Sequence, residues 1–463
     1  MNTAVHQSQR FDHPVEDVVR YYRHGWHSWS PSGWRDLSDQ GTAPIDAVRA
    51  MGTEHPDHDH GRAGSGMMMV EHTDGSVTLM GALGPGAWVE LDSGCLRGSS
   101  EGAAVGWMVV RGEEAAVLAR YREALAAAYD TRSPAPQRVW CSWYGLYEEI
   151  NEALLHEITA DLSGLTFDVV QVDDGWQRSV GDWEPNGKFP SGMADLASRI
   201  GSVGFVPGLW LAPFIAVGGA EPVARFPEFL ARDRAGAAIV AGVNWGEPYY
   251  ALDLSHPGVQ EHVVDTIRRI RSWGYRYLKL DFLYPGALPG GYAGDPELQY
   301  RKAIALIREA AGEDCYLLGC GAPIFPSLGI FDGVRIGPDV AEWWFDPAKA
   351  EGTRNAVETC AGRLWMRDLI DVDPDVAFFR SRQLELSPQA TDVLRDLGRI
   401  SGFRGSSDPP AWLADDERAQ LAAYLREQPE IHQAGRNEWT IDGRAVDLSQ
   451  SFSKIDARPR RNP

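Results

Sequence analysis

An α/β fold, a (β/α)8 TIM barrel with a β-rich N-terminal domain and a short C-terminal extension, is what this sequence predicts, and three observations carry the prediction. Past Ser133-Pro134-Ala135-Pro136 the chain alternates short apolar β-like runs with helical stretches, the order of a parallel barrel. Before that linker it is rich in Gly, Trp and short alternating runs, and no long helical period appears until Glu113. Its 463 residues exceed a barrel of roughly 250 residues by enough for flanking pieces.

Taken in order, residues 1–132 form the expected β-rich domain, with runs such as Ser76-Val77-Thr78-Leu79-Met80, closed by a helical period over 113–129. Residues 133–406 form the expected barrel. Its strands are read at Val139–Trp143, Phe167–Val172, Phe205–Leu211, Tyr277–Asp281, Tyr316–Gly319 and Gly333–Ile336, with a seventh near Leu369–Val372 and an eighth near Arg399–Gly402. Helical stretches at Ala153–Leu162, Val259–Trp273 and Leu298–Ala311 separate several of them. Residues 407–463 form a short C-terminal region, read as a helix over 415–426 followed by a polar tail.

Composition narrows the function. A formal charge of −21, from 44 basic against 65 acidic residues, opposes a phosphate backbone, so neither nucleic acid nor an anionic membrane is an expected partner. The start of the chain is polar, with Asp12, Glu16 and Asp17, and no later run of about 20 apolar residues could span a bilayer; a cytoplasmic protein is expected. Five cysteines without a C-x-x-C pair argue against a disulfide framework or a zinc site. The 17 Trp are more than packing requires and suit a sugar-binding cleft, where an indole face stacks on a pyranose. His55, Asp57, His58, Asp59 and His60 have metal-ligand chemistry, but the Gly and Pro around them read as a solvated loop.

Barrel enzymes place catalytic groups at the C-terminal ends of strands, and acidic residues mark three of those ends. On the fourth strand Tyr277, Lys279 and Asp281 share one face. A lysine beside Asp281 would keep the carboxylate ionised for nucleophilic attack; a structural ion pair capping the strand is the competing reading. Past the sixth strand Asp339 follows a Gly337-Pro338 turn, with Arg335 four residues earlier. That is a place for a general acid, and equally for an ordinary turn aspartate. The second strand ends in Asp173-Asp174-Gly175-Trp176. Adjacent carboxylates there can accept hydrogen bonds from sugar hydroxyls or bind a divalent metal, and the third strand, Gly208-Leu209-Trp210-Leu211-Ala212-Pro213, offers no further oxygen ligand.

The chain resembles glycoside hydrolase family 36, the melibiase-like α-galactosidases that share a clan with families 27 and 31. The likeness spans roughly Gly25 to Asp375. It rests on Gly25-Trp26-His27-Ser28-Trp29-Ser30-Pro31, Val172-Asp173-Asp174-Gly175-Trp176, Gly208 to Phe214, Lys279-x-Asp281 and Arg335-x-x-x-Asp339, in that order. The resemblance implies a retaining exo-α-galactosidase acting on an oligosaccharide or other α-galactoside, with Asp281 as nucleophile and Asp339 as acid/base. It implies that Asp173 and Asp174 hold the 4- and 6-hydroxyls, that Lys279 and Arg335 bind sugar or position carboxylates, and that Trp210 lines the pocket. It sets Cys320-Gly321 near the sugar's 2-position, where a buried structural cysteine is the plain alternative. Trp26 or Trp29 is similar to the tryptophan that reaches over the site from the β-domain, or is core of that domain. Trp143 and Tyr144, after the first strand, join the expected substrate-binding set.

Such a pair needs no cofactor and no metal. Homo-oligomerisation is compatible with the sequence and not required by it. The chain departs from the family at Lys279-Leu280-Asp281-Phe282-Leu283, where many bacterial members read Lys-Trp-Asp and then Asn-Arg, and at Val372, where Asn is usual. Gly337-Pro338-Asp339 differs from the Ser-Asp-Asn of the larger members and is similar to the shorter, archaeal and thermophile-like branch. An α-N-acetylgalactosaminidase, a transglycosidase and a non-catalytic carbohydrate-binding relative are the alternatives within reach of the same residues; a metal-dependent barrel hydrolase is the rival outside it.

Overall fold

The computed structural model describes residues 5–38, 54–56, 62–289, 295–346 and 352–454. Period-two alternation explains its N-terminal part. Six antiparallel strands run in the order Val5–Ser8, Val105–Gly112, Val77–Ala82, Met67–His72, Val18–Arg23 and Gly33–Asp36. Four more, Arg10–Pro14, Cys95–Ser100, Ala87–Asp92 and Ala63–Ser65, form a second sheet. Successive side chains of the large sheet enter different cores: Met68, Val70 and Met80 pack with Val89 and Leu96 of the small sheet, whereas Met67, Met69 and Leu79 join the main core. Both faces of this sheet are therefore buried.

The helix Glu114–Tyr129 lies against the second of those faces. Glu113 caps it by accepting from the Ala115 and Ala116 amides, and Val117, Leu118, Tyr121 and Leu125 point inward. Tyr121 sits on Gly81, where a Cβ would overlap its ring, and donates its hydroxyl to Ala82 O at 2.8 Å.

Eight parallel strands follow: Arg138–Cys141, Val169–Val172, Val206–Leu211, Tyr277–Leu280, Tyr316–Gly319, Gly333–Arg335, Asp371–Asp373 and Arg404–Ser406. Neighbours in sequence are neighbours in the sheet, and the eighth strand pairs back onto the first. A parallel bridge between Val376 and Gly405 nearly closes the barrel. Inside, Val139, Val169, Tyr277, Leu318 and Phe403 form an apolar layer. One layer further along the barrel, Cys141, Gln171 and Lys279, two residues beyond Val139, Val169 and Tyr277, are buried toward a small internal cavity together with Arg335 and Asp373 of the sixth and seventh strands. This polar layer is the floor on which the site stands.

The structure corrects three expectations. Arg399–Gly402 is not the eighth strand: it ends the helix Pro388–Ser401, whose Ser387 cap, first-turn Pro388 and left-handed Gly402 stop are complete helix signals. The strand lies at Arg404-Gly405-Ser406, too polar and small to show alternation. The C-terminal region is not a helix with a polar tail. The helix Asp415–Arg426 is present, but a three-stranded antiparallel sheet follows it, Ile431–Gly435, Glu438–Ile441 and Arg444–Asp447, turning at Asp442-Gly443 with positive φ at both residues. His55, expected in a solvated loop, is buried against Trp26 and Trp88 at ring-centroid distances of 4.7 and 5.1 Å. Asp57, His58, Asp59 and His60 lie outside the described residues, as does the basic stretch 458–461.

Candidate active site

At the C-terminal end of the fourth strand the Asp281 carboxylate is fixed from two sides. Trp210 Nε1 donates to Oδ2 at 3.0 Å and the Phe282 amide to Oδ1 at 2.8 Å. Lys279 Nζ lies 3.9 Å from Oδ2, and the Asp281 side chain is only 10% exposed. Donors on both oxygens beside an ammonium suit a carboxylate that carries charge. Lys279 also donates to Asp173 Oδ2 at 2.9 Å. Burial alone would lower the lysine pKa, but Asp173 and Asp281 more than offset this and raise it well above its usual value. The lysine is thus held charged between the two strand ends.

The second strand brings its two aspartates in with different partners. Asp173 accepts from Gln171 Nε2 at 2.6 Å as well as from Lys279. Asp174 accepts from Gln177 Nε2 at 2.5 Å and from Trp245 Nε1 at 2.7 Å. Burial pushes the Asp174 pKa up to about 6, against the pull of those two donors. Among the described residues no group of three or more His, Cys, Asp or Glu side chains is arranged to hold a metal ion.

Arg335 organises the opposite side. Its guanidinium reaches Asp373 Oδ2 at 3.1 Å, Asp375 Oδ2 at 2.9 Å and Asp339 Oδ1 at 3.0 Å. Asp373 and Asp375 are buried, while the Asp339 side chain is 53% exposed on its turn and stays accessible from the cleft. Protein nevertheless crowds Asp339, so desolvation raises its pKa; Arg335 and Lys279 oppose this and the Asp281 charge adds to it. Lys279, which lies beside Asp281, and Arg335, which pairs with Asp339, line one internal cavity, so the two carboxylates stand at the same end of the barrel. Asp375 is raised to about 7, chiefly by burial, and takes hydrogen bonds from Tyr144 Oη and the Val340 amide.

A segment from the N-terminal domain completes the wall. Ser28 N donates to Ala322 O at 3.0 Å, and His27 bridges to Pro323, just past Cys320-Gly321. Trp29 is thereby laid over Gly321: a Cβ there would come within 3.0 Å of the indole, and Gly321 has φ +55°. The same ring meets Phe282 edge-on at 5.2 Å. Cys320 is fully buried behind them, which raises its thiol pKa.

The structure therefore gathers Asp173, Asp174, Trp210, Lys279, Asp281, Cys320, Gly321, Arg335, Asp339 and Trp29 at one end of the barrel. Trp26 is not brought there. It is fully buried and donates to Glu297 Oε1 at 3.1 Å. Tyr144 is buried as well and holds Asp375, behind the residues that face the cleft. Trp143 packs edge-on against Tyr147 at 5.2 Å on the first strand's exit loop.

Sequence reasoning missed Trp245. It comes from the turn of a hairpin, Val240–Asn244 with Glu247–Ala251, inserted between the third and fourth strands. Asn244-Trp245-Gly246 is a turn signal, and an aromatic residue placed in such a turn was the available clue. Phe282 was seen only as a departure from a pattern, and Asp375 only as the end of the family likeness. Nothing in their spacing marks them as site neighbours.

Comparisons with known proteins bear on the fold and the family. A family model described as melibiase matches residues 120–284. The chain is 27% identical over 175 residues to an α-galactosidase of Geobacillus stearothermophilus and 25% identical over 182 residues to one of Pediococcus pentosaceus. The matched stretches span 23% and 24% of those relatives' own lengths. A solved α-galactosidase of Thermus thermophilus, in complex with p-nitrophenyl α-D-galactopyranoside, superposes with a TM-score of 0.91 at 39% identity, covering 96% of this chain and 94% of that one. A second structure of the Thermus enzyme holds stachyose. A family 36 α-galactosidase structure from Geobacillus stearothermophilus, 17% identical with a TM-score of 0.63 over 90% of this chain and 62% of its own, shares the fold.

Proposed function

The chain belongs to the glycoside hydrolase family 36 α-galactosidases, and from that premise we propose that it is a retaining exo-α-galactosidase that removes terminal α-D-galactose. The observation that carries the reading is the contrast between two carboxylates sharing one cleft. Asp281 has a donor on each oxygen and an ammonium nearby, whereas Asp339 hangs half-exposed from a turn with its pKa shifted upward. Paired environments that separate two carboxyl groups in this way divide the roles of base-like nucleophile and proton donor.

In the first step Asp281 Oδ attacks the anomeric carbon as the bond to the leaving oxygen breaks, and Asp339 delivers its proton to that oxygen. In the second, ionised Asp339 takes a proton from water, whose oxygen displaces Asp281 and restores the α-configuration. Lys279 and Arg335 keep the floor of the site electrostatically balanced while charge moves above it. Asp173 and Asp174, the latter held by Trp245, are assigned to the galactose hydroxyls, and Trp29 to the wall above Gly321. That wall is also why a 2-acetamido sugar is the weaker candidate substrate. The five cysteines are all unpaired thiols, which supports a cytoplasmic setting; among the described residues no helix is long and apolar enough to cross a membrane.

The test is a panel of aryl α-glycosides (galactoside, glucoside, acetylgalactosaminide, xyloside), with the first-formed product followed by NMR. Preferred cleavage of the galactoside with release of α-galactose is expected. Release of β-galactose would overturn the double-displacement assignment, and a preference for another sugar would overturn the specificity.

A further inference from the structure

Arg363 lies outside every role described so far, yet it is fully buried, and no carboxylate among the described residues lies within ion-pair distance of it. Its four closest partners are main-chain oxygens. Nη1 donates to Ser28 O at 2.6 Å and Ile336 O at 3.0 Å, and Nη2 to His27 O at 2.8 Å and Gly25 O at 3.2 Å. Three of these belong to the segment that carries Trp29 over Gly321. The fourth begins the Ile336-Gly337-Pro338-Asp339 turn.

The surroundings make this approach specific. Gly362 lies so close to Ser32 O that a Cβ would come within 2.5 Å of it, and Tyr22 donates its hydroxyl to Gly362 O at 2.8 Å. Gly337, on the acid/base turn, has room only for hydrogen against Cys360 Sγ and Ala356 O of the helix that ends in Arg363. Desolvation pulls the guanidinium pKa down to about 10, which still leaves it charged at neutral pH. A buried cation solvated only by carbonyls is costly to keep unless the geometry it imposes has a use.

We propose that Arg363 is a positioning residue that clamps the Trp29 segment to the Asp339 turn, so that the sugar-covering wall and the proton donor are set together by one guanidinium. The inference rests on the roles proposed for Trp29 and Asp339. Loosening the clamp should harm proton donation more than binding, because displacement of a catalytic group by about 1 Å can cost on the order of 10²-fold in rate.

Two measurements test it. Wild-type cleavage of p-nitrophenyl α-galactoside first checks the α-galactosidase activity, and Asp339→Asn, compared on the two substrates below, checks the acid role. In Arg363→Met and the milder Arg363→Lys, methyl α-galactoside hydrolysis should then fall roughly 10- to 100-fold, while the nitrophenyl substrate, whose leaving group needs no proton, falls several times less. Arg363→Lys should retain more activity than Arg363→Met. Equal losses on both substrates, or unchanged kcat and KM with only a lowered melting temperature, would show a merely structural residue and overturn the proposal. The second measurement needs neither a variant nor a sugar. In wild-type protein, amide exchange in residues 25–30 and 336–341 should report one shared opening free energy; two distinct opening energies would overturn the clamp whatever the enzyme's substrate proves to be.

Discussion

Asp339 bears the sharpest demand placed on any one side chain here, because it must hold a proton at rest and give it up on contact. Its upward-shifted pKa favours the protonated form, with desolvation by the protein crowded round it as the main cause. The sign follows: the acid form persists to higher pH than an ordinary carboxylate allows, so the basic limb of kcat/KM should lie above the usual aspartate range. In Asp339→Asn that limb should vanish. Hydrolysis of an alkyl galactoside should fall by about 10²–10⁴-fold, the usual range for general acid catalysis, while a nitrophenyl galactoside should give a burst of nitrophenol followed by slow turnover. Equal slowing of both substrates without a burst would remove the acid/base role. The neighbouring carboxylate Glu342 is no substitute, since Tyr147 Oη donates to it at 2.7 Å and Arg380 Nη2 lies 3.3 Å away, fixing it in the loop.

The inserted hairpin shows how an element beyond the barrel count shapes a site. Its Trp245 adopts a positive φ of +54°, a conformation that places the indole nitrogen on Asp174 and the ring against Phe282 at 5.3 Å. Trp245→Phe keeps most of the ring and removes the donor. A hydrogen bond to a charged group contributes about 1.5–3 kcal/mol, so kcat/KM for galactosides should drop roughly 10- to 100-fold with the fold unchanged. The Trp245 donor also lowers the Asp174 pKa, which burial has raised to about 6. Its loss should raise that pKa further, and the acidic limb of kcat/KM should move to higher pH, because Asp174 must be ionised to accept from two donors. An unmoved acidic limb would mean that Asp174 does not govern it.

Across the whole molecule the N-terminal sandwich, the barrel and the C-terminal sheet are joined by a few polar links, partly or fully buried. Arg436, at the first turn of the C-terminal sheet, pairs with Glu71 and Glu114 and stacks over Trp34 at 3.8 Å. Glu297, near the start of the helix Pro296–Ala311, accepts from Trp26 Nε1 and, at 2.6 Å, from the Gly86 amide. Burial raises its pKa from 4.5 to about 7. A raised carboxylate pKa contributes stability that is full below the unfolded value and is lost as pH rises through the folded one. Glu297→Ala leaves two buried donors unsatisfied, a cost of about 1–3 kcal/mol each, so its melting temperature should fall below wild type. The deficit should be largest near pH 5 and shrink toward pH 8; a deficit independent of pH would show that Glu297 does not titrate in this window.

The sequence by itself determined the barrel, the β-rich domain before it and the strand ends holding Asp173, Asp281 and Asp339, because alternation and turn chemistry are local and survive in one dimension. It did not reveal the last strand, since Arg404-Gly405-Ser406 is specified by its neighbours rather than by any pattern of its own. The tertiary structure alone separated Trp26 from Trp29. The two stand three residues apart in the same motif, and only packing against Glu297 on one side and Gly321 on the other decides which is core and which is wall. Trp245 and Arg363 were invisible for the same reason: each acts on groups at least 27 residues away in the chain, and such contacts exist only once the barrel has closed.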